Sequence, residues 1–166
     1  MNSGISPYIE VHVPSQTLRL YNNQNQAIME TLVATAKNGV GEMINSEQTP
    51  RGWHYIRAKI GADLAPNTVF VGRRPTGEIY SPQLRALYPQ RDWILTRILW
   101  LSGLEAGKNR LGPVDTMRRY VYIHGCPDTD KMGVPSSHGC VKMRNSDVIA
   151  LFDQILVGCR MLIKGE

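Results

Sequence analysis

Short segments with the residue pattern of β-strands dominate this sequence, and they constrain the fold more than any other feature. Alternation of apolar and polar residues, or enrichment in β-branched and aromatic residues, is typical of strands. The segments are YIEVHV (8–13), TLRLY (17–21), AIMETLVAT (27–35), WHYIRAKI (53–60), TVFVG (68–72), RYVYIHG (119–125) and CRMLIK (159–164). Turn-forming residues separate them, as in TPRG (49–52). The sequence therefore predicts a mainly β fold.

Two segments instead have the apolar spacing of a helix. DWILTRILWLSG (92–103) predicts an amphipathic helix that is capped by Asp92. NSDVIALFDQIL (145–156) predicts a second helix, with Asn145 or Ser146 as its N-cap. The expected architecture is a mainly β domain with one or two helices.

Residues from about 73 to 112 are a candidate lid. The first half of this segment is rich in turn-forming residues, and long irregular segments of compact domains are often lids or binding loops. In a lid, Tyr80, Tyr88 and Trp93 would grip a ligand or exclude water; the alternative is that they belong to the core. A length of 166 residues fits one domain, so residues 1–166 are predicted to form a single unit.

The chain carries an excess of positive charge, with a formal net charge of +5 and a pI near 9.3. Such an excess favours anionic partners. Short basic clusters occur at 73–74, at 118–119, and at Lys142 with Arg144. No basic run is interleaved with aromatic residues, so the sequence does not predict nucleic-acid binding. A small substrate with several carboxylates or phosphates fits this charge as well.

The compartment is predicted from what the sequence lacks. Its N-terminal residues do not combine a basic segment with an apolar run of signal-peptide length. No stretch approaches the roughly 20 apolar residues that cross a bilayer, so no membrane partner is expected. Three cysteines, an odd number, argue against a disulfide framework. If the chain is complete, these features predict a cytoplasmic protein.

Four residues that commonly carry chemistry fall in a short window: His124, Cys126, His138 and Cys140. Two cysteines and two histidines are a legitimate zinc set, but each pair is separated by a single residue where structural sites usually have two to four. No metal or other cofactor is therefore predicted. The alternative is that a cysteine is an ordinary buried core residue without a chemical role. It suits Cys159 in a terminal strand better than Cys140, whose neighbours are polar or small.

A cysteine nucleophile with a histidine base is the third interpretation. A thiol attacks an acyl carbon best when a nearby base takes its proton, and histidine suits that task at neutral pH. His124 ends a strand and can face the thiol of Cys140 from a different element. His138, two residues from the sulfur, more readily braces the loop or contacts substrate. Gly139 lets the backbone turn, so that the N–H groups of Cys140 and Gly139 can bind an oxyanion.

The same residues resemble the signature of a known family. IHG (123–125) and SHGCVKM (137–143), with 16 positions from His124 to Cys140, resemble the catalytic motif of the L,D-transpeptidase (YkuD-type) family. TPRG (49–52) resembles an upstream turn of that family. The resemblance implies a β-sandwich-like fold with the cysteine at a cleft. It also implies a reaction on the peptide stems of peptidoglycan: Cys140 attacks the carbonyl of the third, L-centred residue, forms a thioester and expels the terminal D-alanine.

The resemblance also implies roles for the site residues. His124 would be the base, oriented by a backbone carbonyl next to Gly125, while His138 and Gly139 complete the motif loop. The family usually has arginine where this chain has Lys142, which keeps the charge but loses the bidentate fork for a carboxylate. Arg144 would compensate or simply face solvent. The substrate-binding residues that we predict are Ser137, Arg118, Tyr122, Lys142 and Arg144.

Cys126 is unusual beside the predicted base. It is interpreted first as a small filler of the core. The alternative hypothesis is that it resolves an oxidised Cys140 by forming a disulfide, which requires the two Cα atoms to lie within about 7 Å of each other.

The acceptor of the acyl group is the remaining question, because the motif does not decide between water and an amine. A cytoplasmic enzyme would meet tetrapeptide fragments that are free, sugar-linked or nucleotide-linked, which favours an L,D-carboxypeptidase of peptidoglycan recycling. An exported L,D-transpeptidase, whose leader was removed from the sequence, is the alternative. In either case a carbapenem-type β-lactam would acylate the same thiol. A non-catalytic peptidoglycan-binding or zinc-stabilised domain is a further alternative, against which the intact Cys–His pair argues.

Overall fold

The computed structural model describes residues 6–166, which form a mainly β domain. Ten strands and two helices occur in this range: β1 (Tyr8–His12), β2 (Thr17–Tyr21), β3 (Ala27–Leu32), β4 (Gly52–Ile60), β5 (Thr68–Val71), β6 (Arg74–Ile79), α1 (Pro82–Leu87), β7 (Ile94–Gly103), β8 (Tyr122–Gly125), β9 (Val141–Met143), α2 (Asn145–Gln154) and β10 (Arg160–Lys164). The predicted mainly β class is confirmed. Neither helix has the length and apolar character that a bilayer span requires.

The strands form one mixed sheet in which the order is β3-β2-β1-β10-β4-β7-β5-β6, and β8 and β9 extend from β7. The β1–β10 and β8–β9 pairs are parallel, and the others are antiparallel. An isolated bridge joins Ala34, just after β3, to Lys142 in β9. The β9 end of the branch is therefore linked to the β3 end of the path within one open mixed sheet.

The main core consists of alternate side chains from most of the strands and the apolar face of α2. Ile9 and Val11 of β1, Leu99 and Leu101 of β7, and Ile123 of β8 belong to it. Val141 and Met143 of β9, Val148 and Leu151 of α2, and Met161 and Ile163 of β10 complete it from the C-terminal part. Because side chains alternate along a strand, Tyr122 and His124 lie on the other face of β8. That face carries the candidate site.

The predicted helix over 92–103 is wrong, because residues Ile94–Gly103 form strand β7. Nearly every residue of β7 is buried, with neighbours on both of its faces. It pairs with β4, β5 and β8. A strand that is buried on both faces has no polar alternation, and its apolar residues then match helical spacing by default. Hydrogen bonding to three neighbouring strands outweighs this local pattern.

The candidate lid shrinks accordingly. Residues Ile94–Gly103 form the central strand β7, and the segment before them is regular rather than irregular, since it contains β6 and α1. The Ser81 hydroxyl caps α1 by accepting a hydrogen bond from the Leu84 N–H at 3.0 Å. Trp93 is buried and meets Tyr80 edge-on at 5.2 Å between ring centroids, whereas Tyr88 is exposed. Trp93 is thus a core residue, and only residues 73–91 retain the position of a lid.

The start of α2 also differs from the prediction. Its N-cap is Arg144, which makes no side-chain capping hydrogen bond, and Asn145 is the first helical residue. The Asn145 amide is instead committed to other partners beside the candidate site.

One buried titratable residue makes the stability of the fold depend on pH. His54 in β4 is fully buried, with its ring nitrogens 3.0 Å from Gly52 O and 3.0 Å from Thr116 Oγ1. Burial lowers its pKa from 6.5 to about 4. The unfolded chain therefore binds a proton at this residue more readily than the folded protein does.

We expect the free energy of unfolding to fall as the pH decreases from 6.5 towards 4. His54 alone contributes a loss of about 2 kcal/mol at pH 5, because the unfolded state is protonated there and the folded state is not. Urea unfolding at pH 7 and pH 5 measures the difference. The His54→Gln variant, which places a non-titrating amide near the Thr116 hydroxyl, should have a flatter pH dependence. An unchanged slope in that variant would assign the effect to other groups.

Candidate active site

The ring of His124 is fixed by a hydrogen bond to the backbone of the next residue. Its Nδ1 lies 2.6 Å from the carbonyl oxygen of Gly125. A carbonyl can only accept, so Nδ1 carries the proton and Nε2 presents its lone pair. Within residues 6–166, Nε2 has no hydrogen-bond partner. The residue is buried. The structure therefore holds His124 in the tautomer that a general base requires.

Gly125 is required by close packing around this carbonyl. A Cβ at Gly125 would collide with Asn145 Oδ1 and would lie 2.7 Å from Leu95 O. The Asn145 amide accepts from Thr96 Oγ1 at 2.6 Å and donates to Asn67 Oδ1 at 3.0 Å. Sequence reasoning missed this network, because Asn145 at the start of a helical pattern is most simply interpreted as a cap. Its side chain instead braces the strand end that orients His124.

Strand pairing brings Cys140 to the same face as His124. In the parallel β8–β9 register, Ile123 faces Val141 and His124 faces Lys142, so Cys140 falls opposite Tyr122. Strand spacing and rise place the Cα atoms of Cys140 and His124 roughly 8 Å apart. The Tyr122 N–H donates to Cys140 Sγ at 3.3 Å. The residue keeps part of its surface accessible.

The motif loop is held by hydroxyl groups rather than by regular structure. The Ser137 hydroxyl accepts from the Gly139 N–H at 3.2 Å and donates to the carbonyl of Cys140. Thr49, from the TPRG turn, donates to Gly139 O at 3.0 Å and accepts from the Ala36 N–H at 3.0 Å. Gly139 has a φ of +129°, which favours glycine. The upstream turn and the motif loop are therefore one unit.

These bonds leave only one of the two predicted oxyanion donors without an acceptor in residues 6–166. The Gly139 N–H is occupied by Ser137, whereas the Cys140 N–H has no acceptor in the described part of the chain. Ser137 is buried and its hydroxyl is engaged within the loop, which argues against direct contact with substrate. The predicted pair of donors is thus reduced to the Cys140 amide.

Two cavities meet at Cys140. The first, of about 400 Å³, is lined on one side by Arg118 and by Arg119. The second, of about 530 Å³, contains Arg73 and Asp92 as well as Tyr122. Both cavities are also bordered by the exposed residues Tyr120 and His138. The predicted residues His138, Arg118 and Tyr122 are therefore brought together with the cysteine.

Lys142 is not free to anchor a substrate. Its Nζ lies 2.8 Å from Asp130 Oδ2, and its side chain is only 13% exposed. Asp130 also binds Arg85 of α1 at 3.1 Å, so the carboxylate connects β9 to the candidate lid. Arg144 is exposed and borders a different cavity, beside Glu30 and others of that surface. Neither of these predicted residues borders the two cavities at Cys140.

Three charged residues at the site were not singled out as site residues by sequence reasoning. Arg119 donates to the carbonyl groups of Gly41, Glu42 and Gln48 and to the hydroxyl of Ser46, so it holds the loop that borders the first cavity. Asp92 Oδ2 lies 3.7 Å from Nδ1 of His138. Arg73 borders the second cavity. The paired arginines at 73–74 and 118–119 indicated Arg73 and Arg119 through their charge, whereas Asp92 was interpreted only as a helix cap.

Cys126 is separated from this site. It is buried with Ala34 and Met132, and its thiol donates to Met143 O at 3.3 Å. The register puts Cys126 opposite residue 144, four residues along the strands from the level of Cys140. That offset is roughly 13 Å, beyond the reach of a disulfide. Cys126 is a core filler, and the redox-pair hypothesis is wrong for this conformation.

The zinc alternative finds no support in the geometry. In residues 6–166, no three histidine, cysteine or acidic side chains form a group that could hold a metal ion. Cys126 packs in the core while His138 projects into the cavities.

Comparison with known proteins identifies the family of this chain. The family model described as the L,D-transpeptidase catalytic domain (YkuD) matches residues 6–163. This chain belongs to that family. No curated protein sequence matches it at a significant level.

Three solved structures, two of them of L,D-transpeptidases, have the same fold. A cysteine-to-serine variant of an Enterococcus faecium L,D-transpeptidase aligns with a TM-score of 0.58 at 17% identity, over 96% of this chain and 50% of that one. A Bdellovibrio bacteriovorus protein aligns with a TM-score of 0.59 at 17% identity, over 100% and 50%. L,D-transpeptidase 3 of Mycobacterium tuberculosis, solved with a faropenem-derived adduct, aligns with a TM-score of 0.57 at 10% identity, over 96% and 61%. This YkuD chain thus spans 50–61% of their lengths.

The protonation of the YkuD cysteine–histidine pair follows from its surroundings. Burial raises the pKa of the Cys140 thiol to about 12, although the Tyr122 N–H and the Arg119 charge act in the opposite direction. Burial also lowers the pKa of His124, against the effect of its bond to Gly125. Both shifts favour the neutral thiol with the neutral imidazole. Selective reaction of Cys140 at neutral pH therefore requires His124 to take the proton as the new bond forms.

We expect the rate of Cys140 alkylation by iodoacetamide to be nearly independent of pH between 6.5 and 9. In this range Cys140 Sγ and His124 Nε2 share one proton, whichever of these two atoms carries it. Burial raises the pKa of Cys159 to about 11, so the alkylation rate at Cys159 should increase about tenfold for each unit of pH. Peptide mass spectrometry follows both residues in one sample.

The His124→Gln variant is the matched control for this experiment. Without the imidazole, the rate at Cys140 should increase with pH in parallel with Cys159. A parallel increase in the unsubstituted protein would mean that His124 does not share the proton.

Proposed function

We propose that this protein cleaves the L,D peptide bond of peptidoglycan tetrapeptide stems through a thioester at Cys140. The observation that carries the proposal is the hydrogen bond from His124 Nδ1 to Gly125 O, which directs the lone pair of Nε2 to the sheet face that holds the thiol. A positioned base and nucleophile at the junction of two cavities suit covalent acyl transfer.

The acylation step follows from these positions. Nε2 of His124 takes the thiol proton while Cys140 Sγ attacks the carbonyl carbon of the third residue. The oxyanion that forms is stabilised by the unoccupied Cys140 N–H. The C–N bond then breaks, the imidazolium gives its proton to the leaving amine, and D-alanine departs. The acyl group remains on sulfur as a thioester.

Water is the proposed acceptor of this acyl group. His124, neutral again after the first step, removes a proton from water as the oxygen attacks the thioester. The C–S bond then breaks, the imidazolium returns its proton to the Cys140 sulfur, and the tripeptide is released. Hydrolysis needs only solvent access, which the partly exposed Cys140 provides. Arg118 and Arg73 border the cavities. Their charge suits a fragment with several carboxylates, whether free, sugar-linked or nucleotide-linked.

A role in recycling such fragments in the cytoplasm stays a prediction of the sequence. It is tested by detecting the protein in fractionated cells of its natural source.

Transfer to an amine is the second candidate function, and the paired cavities favour it. One stem in the first cavity leaves the second cavity, of about 530 Å³, for an acceptor next to the same thiol. A cross-link or an exchange with a free D-amino acid would result.

Incubation of a tetrapeptide stem with the protein distinguishes the two functions. We expect tripeptide and free D-alanine in mass spectra, and no product from the Cys140→Ala variant. A D-amino acid is added to half of the samples. Predominant exchange or dimer formation would show that the amine is the acceptor. No turnover under any of these conditions would contradict both functions.

A β-lactam should acylate the same thiol, as the faropenem-derived adduct in the Mycobacterium tuberculosis relative suggests. Carbonyl attack opens the lactam ring, so the intact mass of the protein should increase by the mass of faropenem or of imipenem, before any later fragmentation of the adduct. Cys140→Ala should remain unmodified, and His124→Gln should react more slowly. Modification at Cys159 instead would remove Cys140 from the proposed role.

A further inference from the structure

One arginine near the thiol is positioned rigidly and has no acidic partner. Arg73 lies in the turn between β5 and β6 with a φ of +65°. Its guanidinium lies 4.6 Å from the ring centroid of Tyr120 and 4.8 Å from that of Trp100. It also donates from Nη1 to the Tyr122 hydroxyl at 3.0 Å. Two aromatic rings and one hydrogen bond thus fix a planar cation at the second cavity.

Two other cations near the thiol are already engaged, and Arg118 borders the first cavity rather than the second. Lys142 is paired with Asp130, and the Arg119 guanidinium is bonded to Gln48 and the rest of its loop. Across residues 6–166, no carboxylate lies within ion-pair distance of Arg73. Asp92 borders the same cavity, but its carboxylate faces His138. Arg73 therefore retains N–H groups that an anionic ligand can use.

Tyr122 connects this cation to the nucleophile. Its backbone N–H donates to Cys140 Sγ, and its hydroxyl accepts from Arg73. A tyrosine side chain is rigid along its length, so the distance from sulfur to guanidinium is set by one residue. In a tetrapeptide stem, the terminal carboxylate carbon lies within about 4 Å of the attacked carbonyl carbon. A stem seated on Cys140 can therefore direct this carboxylate towards Arg73.

We propose that Arg73 binds the terminal carboxylate of the substrate, which is the carboxylate of the departing D-alanine. The inference rests on the proposed function and specifies it, because it makes a free C-terminus after the scissile bond a requirement of the site. The planar fork of arginine can bind the carboxylate through two hydrogen bonds. Arg73 would thus supply the bidentate contact that Lys142, paired with Asp130, does not.

The test compares a tetrapeptide stem with the same stem amidated at its C-terminus. We expect Arg73→Gln to lower kcat/KM for the acid by about 10- to 100-fold, the range for loss of a charge-assisted contact. For the amide, the change should be less than about threefold, because the amide never had that contact. Arg73→Lys should restore part of the activity on the acid. Arg74→Gln, in the exposed neighbouring residue, is the matched control and should change neither.

A purely structural role for Arg73 predicts a different result. Loss of its stacking on Tyr120 would lower kcat/KM for the acid and the amide equally, and this outcome would overturn the proposal. So would an unsubstituted protein that does not prefer the acid.

Binding measured without turnover separates this inference from the proposed function. In a Cys140→Ala background, calorimetry should detect the acid stem, with an affinity that Arg73→Gln lowers selectively. A stem that binds and is cleaved without regard to Arg73 would overturn the inference alone. Absence of both binding and cleavage of either stem would overturn the proposed function, and the inference with it.

Discussion

The parallel pairing of β8 with β9 is the interaction on which the site depends. Ile123 and Val141 face each other across this pair, and both point into the main core. Their burial fixes the register, because a slip of β9 by one residue would turn Val141 out of the main core and Cys140 into it. The reactive side chains on the opposite face are thus positioned by apolar residues that take no part in the chemistry. Burial of each such side chain is worth about 1.5–3 kcal/mol.

Burial of the thiol and of the His124 ring decides how the pair can react. A preformed thiolate beside an imidazolium would be costly here, because desolvation opposes both charges. The base must therefore act in concert with attack, and its orientation matters more than its charge. This explains the packing around the Gly125 carbonyl, where Asn145 and Thr96 leave no space for a side chain. The strand end is rigid where the mechanism needs a fixed lone pair.

The sequence predicted most of the strands and the cysteine motif, because both depend on local patterns. Alternation marks a half-exposed strand, and a loop of small residues around a cysteine marks an unusual thiol. The sequence did not predict the central strand β7, because burial on both faces removes the alternation of apolar and polar residues. The sequence did not predict contacts between distant segments for a different reason, because these contacts leave no local signal. Nothing near Lys142 in the sequence indicates its pairing with Asp130, and nothing near Arg73 indicates the two rings beside it. Charge and motif predict candidates, whereas their partners depend on the tertiary fold.

The carboxylate of Asp130 has a consequence for how this sequence can change. It binds Arg85 of α1 and Lys142 of β9 at once, so substitution of any one of the three alters the electrostatic environment of the other two. An arginine at 142, as is usual in the family, would compete with Arg85 for the same oxygen atoms. Position 142 is therefore epistatic with a helix that lies far from it in the chain. Substitutions at position 142 and at Arg85 of this helix should therefore not be additive in their effects.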